Sequence, residues 1–141
     1  MPEILTTLGA CVDAEPALSR LAAHTWPVKT AYHIARLLKL VREESRAFED
    51  ERVKLVRALG VARPPTETEQ ARGLRDEVIE VPADKLKDYL QQHADLRAVP
   101  ATIGWAPLTV DMIEAQTQPI PATDLDIGPF LLEPSGNGGP P

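Results

Sequence analysis

Between Ile34 and Leu59 the positions 34, 38, 41, 45, 48, 52, 55 and 59 fall in alternating steps of four and three. Six of them are apolar: Ile34, Leu38, Val41, Phe48, Leu55 and Leu59. Such spacing makes a narrow seam of the coiled-coil type and predicts one long helix over 28–59. Pro27 suits its first position and Gly60 its C-terminal cap. The middle is polar: in Arg42–Arg52 only Ala47 and Phe48 are apolar, and Ser45 and Arg52 sit on the seam. Two readings follow, a solvated face on an ordinary helix or a projecting segment that meets another chain. Such a helix spans roughly 50 Å, whereas a compact domain of this size is only about 37 Å across. It therefore outruns its own domain or breaks near 43–46.

Residues 3–12 (EILTTLGACV) fit either a short strand or a helix. Asp13 can cap a helix to about His24, with Pro16 in its first turn and Ala17, Leu18, Leu21 and Ala22 on one face. Trp26-Pro27 ends it. Residues 61–76 form a polar loop, Glu77–Val81 alternates as a strand, and Pro82 opens a helix to about Leu96. Residues 97–108 are β-like but interrupted by Pro100, Gly104 and Pro107, which suits an edge strand or an irregular segment. Thr109 can cap a short turn holding Val110, Met112 and Ile113. Residues 118–120 are extended, and Pro121 opens a last turn with Leu125, Ile127, Phe130 and Leu131.

The expected fold class is α+β. A short N-terminal helix and one long helix precede a small β-containing C-terminal part with a second helix and a proline-rich extended tail. Residues 1–134 form a single domain, with helical 13–60 and α+β 77–134, followed by a flexible tail at 135–141. Eight of the fourteen prolines lie at or after Pro100, and each removes a backbone donor. That region is therefore held by side-chain contacts, either on the face of the 82–96 helix or on a neighbouring subunit.

Composition narrows the partners. Hydrophobic residues make up 43%, enough for a core, but aromatics only 4%, so the core must be mostly Leu, Val, Ile and Ala. The net charge of −6 divides into +1 over residues 1–60 and −7 over 61–141, and no Lys or Arg follows Arg97. Nucleic acids and anionic membranes require clustered cations, so both are poor partners. A docking surface for the C-terminal segment would be neutral or basic. The first nineteen residues lack the basic start of a signal peptide, and Ile4–Val12 is too short to span a bilayer, so an intracellular product is expected.

Phosphate loops, GxGxxG, HExxH, paired cysteines and GxSxG are all missing. Cys11 is the only cysteine and reads as a small buried apolar residue, with no base beside it in sequence. His24 and His33 flank the Trp26-Pro27 break without a carboxylate at ligand spacing. Glu43-Glu44 and Glu49-Asp50-Glu51 lie among Arg42, Arg46, Arg52 and Lys54, as expected of intrahelical ion pairs. Asp124 and Asp126 read as turn or helix-start residues. No catalytic, cofactor-binding or metal-ligating residue is expected, and no small-molecule substrate. The candidate interface residues are Trp26, Leu38, Val41, Phe48, Leu55, Trp105 and Phe130, the tryptophans because Trp is enriched where interfaces are strongest.

One stretch carries a resemblance. Trp26-Pro27-Val28-Lys29-Thr30-Ala31-Tyr32, then Ile34-Ala35-Arg36-Leu37-Leu38-Lys39, Glu43-Glu44 and Phe48-Glu49-Asp50-Glu51-Arg52, resembles a family of small tailed-phage and prophage proteins. In that family an LPVK-x-AY segment leads into a long helix. The similarity continues in Val81-Pro82, Leu86, Tyr89-Leu90, Pro107-Leu108-Thr109 and Pro121-Ala122-Thr123-Asp124-Leu125, to about Phe130. Trp26 replaces the usual leucine, and residues 97–108 are richer in proline and glycine. The resemblance implies a phage setting and no catalytic residues. The expected function is a non-enzymatic structural or assembly protein that docks onto other phage structural proteins or onto itself as a homo-oligomer. It would be made in the host cytoplasm and end in the virion as a minor component. The alternative is a soluble accessory factor, an assembly chaperone or a small regulator of host proteins.

Overall fold

A computed structural model describes residues 2–116 and 118–132. The chain is α+β. A short strand β1 (Ile4–Thr7) runs directly into helix α1 (Leu8–Ala22). The sequence left 3–12 open between strand and helix, and the chain uses both. Thr7, rather than Asp13, caps α1: its side chain accepts a hydrogen bond from the Ala10 N–H at 3.2 Å. Pro16 consequently sits inside the helix instead of in its first turn. Asp13 takes a different partner, accepting from Arg97 Nη2 at 2.6 Å. Behind this pair Gly9 is needed for close approach, since a Cβ there would stand 3.0 Å from Arg97.

Helix α2 runs unbroken from Val28 to Leu59, about 48 Å at 1.5 Å per residue. The break near 43–46 does not occur. Gly60 ends the helix without the left-handed cap expected of it, because among the described residues only Gly73 and Gly128 have positive φ. Its small size matters instead. A Cβ would lie 2.4 Å from Ile79 Cγ2 and from the Val56 carbonyl oxygen.

The stretch read as a polar loop contains two elements, strand β2 (Val61–Arg63) and helix α3 (Glu67–Ala71). α3 opens on a capping box in which the Thr66 hydroxyl accepts from the Glu69 N–H and Glu69 accepts from the Thr66 N–H. Thr66 and Glu69 are spaced as that motif requires, so the signal was present in the sequence. β2 pairs antiparallel with β3 (Val78–Glu80). Helix α4 (Ala83–Arg97) lies one residue later than expected.

Strand β4 (Pro100–Ile103) pairs antiparallel with β1, Ile4 opposite Ile103, so its proline lies in a two-stranded edge as expected. β5 (Leu108–Thr109) leads into α5 (Val110–Glu114), where Thr109 accepts from the Met112 N–H. Turns of 3-10 helix at Ala122–Leu125 and Gly128–Phe130 precede β6 (Leu131–Leu132), which pairs parallel with β5.

The chain divides into two compact units. The first unit joins residues up to Phe48 with those from Arg97 onward, and the second is Glu49–Leu96. In the first unit a core forms from Leu18 and Leu21 of α1, Ile34, Leu37 and Val41 of α2, and Ile103, Leu108, Ile127 and Phe130. Both 3-10 turns pack on α1. Those turns of the proline-rich region are therefore held by α1, within the same unit. Among its described residues the second unit has no buried side chain. Val53, Leu55, Val56 and Leu59 are only partly covered, whereas Val61, Leu74, Ile79, Leu86 and Leu90 are exposed. The expected flexible tail at 135–141 lies outside the described residues.

Candidate docking surfaces

The first turns of α2 present Val28, Tyr32 and Arg36, four residues apart and hence on one face. Val28 is 85% exposed and Tyr32 57%. Beside them the loop after β4 brings in Trp105, half-buried. Its ring meets Tyr32 edge-on, with centroids 6.0 Å apart, and the Arg36 guanidinium carbon lies 6.0 Å from its centroid. Trp105 Nε1–H donates to the His33 carbonyl oxygen at 3.2 Å, and His33 Nε2 lies 2.8 Å from the Ala106 carbonyl oxygen. A carbonyl cannot donate, so Nε2 carries the proton. These two bonds run in opposite directions between α2 and the loop, and fix the indole plane. The result is a Tyr–Trp–Arg corner on a rigid helix, the residue types that dominate binding energy where interfaces are dissected.

A second cluster is internal to the first unit. Asp124 is buried; it accepts from Arg20 Nε at 2.7 Å, and its other oxygen lies 3.2 Å from His24 Nε2. The Arg20 hydrogen bond, then the His24 contact, hold this carboxyl below the usual aspartate range. The arrangement ties α1 to the Ala122–Leu125 turn. Sequence reasoning missed it because its members are about a hundred residues apart. Cys11 is buried, as expected. Burial, and secondarily the Glu44 carboxylate, push its thiol up to about 11, so it stays protonated at neutral pH. Among the described residues no group of three or more His, Cys, Asp or Glu could hold a metal ion. No helix among them is long and apolar enough to cross a membrane.

Most of the expected interface residues prove to be interior. Leu38, Val41, Phe48, Phe130 and Trp26 are all buried within the chain itself, so their burial needs no partner. Trp26 also donates its Nε1–H to the Leu21 carbonyl oxygen at 2.7 Å, closing the turn after α1. Leu55 and Trp105 are half-buried and retain a surface. Tyr32, which the sequence reading did not single out, is exposed two places from the seam and four from the exposed Val28. No protein-family model, curated protein or solved structure matches this chain.

Proposed function

We propose that this chain is a non-enzymatic structural or assembly protein of a phage particle, acting by docking its Val28–Tyr32–Arg36–Trp105 corner onto another protein of that particle. The observation that carries the reading is the corner itself. Two aromatic rings and a guanidinium are held in fixed geometry by two backbone-directed hydrogen bonds, yet remain partly open to solvent. A partner would fill the corner with an apolar side chain and set a carboxylate beside Arg36. The protonated Cys11 thiol supports a role without thiol catalysis. The phage setting rests on the resemblance of residues 26–52 to phage and prophage proteins.

Purification of particles from the strain that encodes the chain, followed by quantitative mass spectrometry, tests this. A fixed copy number relative to the major structural proteins is expected. Absence from particles that nevertheless fail to assemble without the gene would mark a soluble assembly chaperone. Absence with normal assembly would remove the particle from the proposal altogether.

A further inference from the structure

The charge of +1 over residues 1–60 conceals a local asymmetry. Between Glu15 and Glu43 the chain has no acidic residue but carries Arg20, Lys29, Arg36, Lys39 and Arg42, for +5. The rest of the chain holds ten Lys or Arg against twenty-one Asp or Glu, or −11. The fold satisfies two of the five cations internally: Arg20 pairs with Asp124 at 2.7 Å and Arg42 with Glu15 at 2.9 Å. Lys29, Arg36 and Lys39 have no carboxylate partner among the described residues.

These three share a face. At 3.6 residues per turn, Val28, Lys29, Tyr32, Arg36 and Lys39 fall within an arc of about 100° on α2, opposite the buried Ile34, Leu37, Leu38 and Val41. Lys29 and Lys39 are exposed, and Arg36 is half-buried beside Trp105. The other half-buried arginines, Arg52, Arg63 and Arg97, are each paired with a carboxylate, from Glu49, Glu69 and Asp13. Arg36 has given up part of its water and gained only the Trp105 ring, so an anion brought from outside would be favoured there. The first acid on this face is Glu43, one turn past Lys39. The cations therefore run uninterrupted over about 15 Å, from Lys29 to Lys39.

Charge also selects among anions. A nucleic acid or an anionic bilayer extends well past a strip of about 15 Å, onto a chain that is otherwise at −11 and repels it. A short acidic segment confines its charge to the strip, and the Tyr32 and Trp105 rings offer it an apolar seat. The exposed Leu74 and Leu86 of this chain are each flanked by two cations, and Glu80 beside Ile79 is taken by Arg63. A second copy is thus the poorer source of such a segment.

We propose that the partner docking at the Tyr32–Trp105 corner is a different protein that presents an acidic segment. A large apolar side chain sits against the two rings, and carboxylates on either side meet Lys29, Arg36 and Lys39. The proposal rests on the docking role of that corner and names the chemistry it takes.

Fluorescence anisotropy with the full chain tests it. The probes are fluorescein-labelled peptides of about twelve residues, long enough to cover the strip, with a central Phe set among Glu, among Gln or among Lys. Oligothymidylate and vesicles rich in phosphatidylserine stand for the other polyanions. At about 0.15 M salt the Glu peptide should bind with a dissociation constant below about 1 mM. It should bind at least about tenfold more tightly than the Gln peptide, and the Lys peptide should not bind. Lys29→Gln with Lys39→Gln, both at exposed positions, should weaken binding about threefold or more without changing the circular dichroism. Adding Arg36→Gln should bring the loss to at least about tenfold. Equal binding of the Glu and Gln peptides, or none up to about 1 mM, would overturn the proposal. So would tighter binding of oligothymidylate or the vesicles, or self-association that Lys29→Gln with Lys39→Gln abolishes. The docking role itself survives such a failure if Tyr32→Ala still impairs incorporation into particles. Absence of the chain from particles removes that role and leaves the peptide result standing.

Discussion

Replacing Phe130 by Ala separates a C-terminal segment that completes a core from one that decorates it. Phe130 is fully buried, in a turn that packs on α1. Deleting its ring removes the transfer free energy of a large aromatic and leaves a cavity whose walls can close only in part. The expected loss is about 3–5 kcal/mol, a fifth or more of the ordinary stability of about 5–15 kcal/mol of a domain. Leu132 lies two residues on and is 56% exposed, so Leu132→Ala should cost under about 0.5 kcal/mol. Both tryptophans, Trp26 and Trp105, belong to the unit that contains Phe130. Tryptophan fluorescence during urea unfolding therefore reads that unit alone. With a slope near 2 kcal/mol per molar urea, the Phe130→Ala midpoint should fall by about 1.5–2.5 M. A fall under about 0.5 M at unchanged slope, or an equal effect of Leu132→Ala, would refute the assignment of this segment to the core.

Three further outcomes are expected. Ser45 Oγ is buried without a hydrogen-bond partner, so Ser45→Ala should raise stability by about 1 kcal/mol in thermal melts; a loss would mean the hydroxyl has a partner. Gly60→Ala should cost about 1–3 kcal/mol by overpacking Ile79 and the Val56 carbonyl, and should speed amide exchange in Val61–Arg63 and Val78–Glu80; unchanged exchange would contradict the close approach. The Glu69 carboxyl is lowered from 4.5 to about 2, first by its hydrogen bond from Arg63 and then by the Thr66 N–H. Because the folded value lies below the unfolded one, this stabilisation is complete above pH 4.5 and drains away as pH falls toward 2. Amide exchange over Glu67–Ala71, corrected for intrinsic rates, should rise in that window, and Glu69→Gln should abolish the rise.

Local signals carried the long helix, the strand at Val78–Glu80, the helix Ala83–Arg97 and the Thr109-capped turn. The four-and-three spacing from Ile34 to Phe48 matches the buried face of α2, although Leu37, fully buried, stands off the strict seam because a straight helix turns every 3.6 residues rather than 3.5. Past Phe48 the same spacing runs onto half-covered positions such as Arg52 and Leu55, so periodicity located a helix face without saying what covers it. Thr109 as a cap was legible from its neighbours. Thr7 was not, because the strand before it exists only through pairing with Pro100–Ile103. Nothing local could have joined Arg20 and His24 to Asp124, or His33 to Ala106. The proposed docking corner was half legible: Trp105 stood out as a tryptophan at a turn, while Tyr32 and Arg36 became its neighbours only through the fold.

The proposed docking role is tested most directly by competition for incorporation. Wild-type chain and Tyr32→Ala, each with its own mass label, would be co-expressed in equal amounts during particle assembly. Their ratio would then be measured in purified particles and in the soluble pool. Tyr32 is exposed, so both should fold and accumulate equally. Docking through the corner predicts that wild type exceeds the variant in particles by at least about tenfold, the effect of losing roughly 1.4 kcal/mol at one aromatic anchor. Equal incorporation of the two, or the absence of both from the particles, would contradict it.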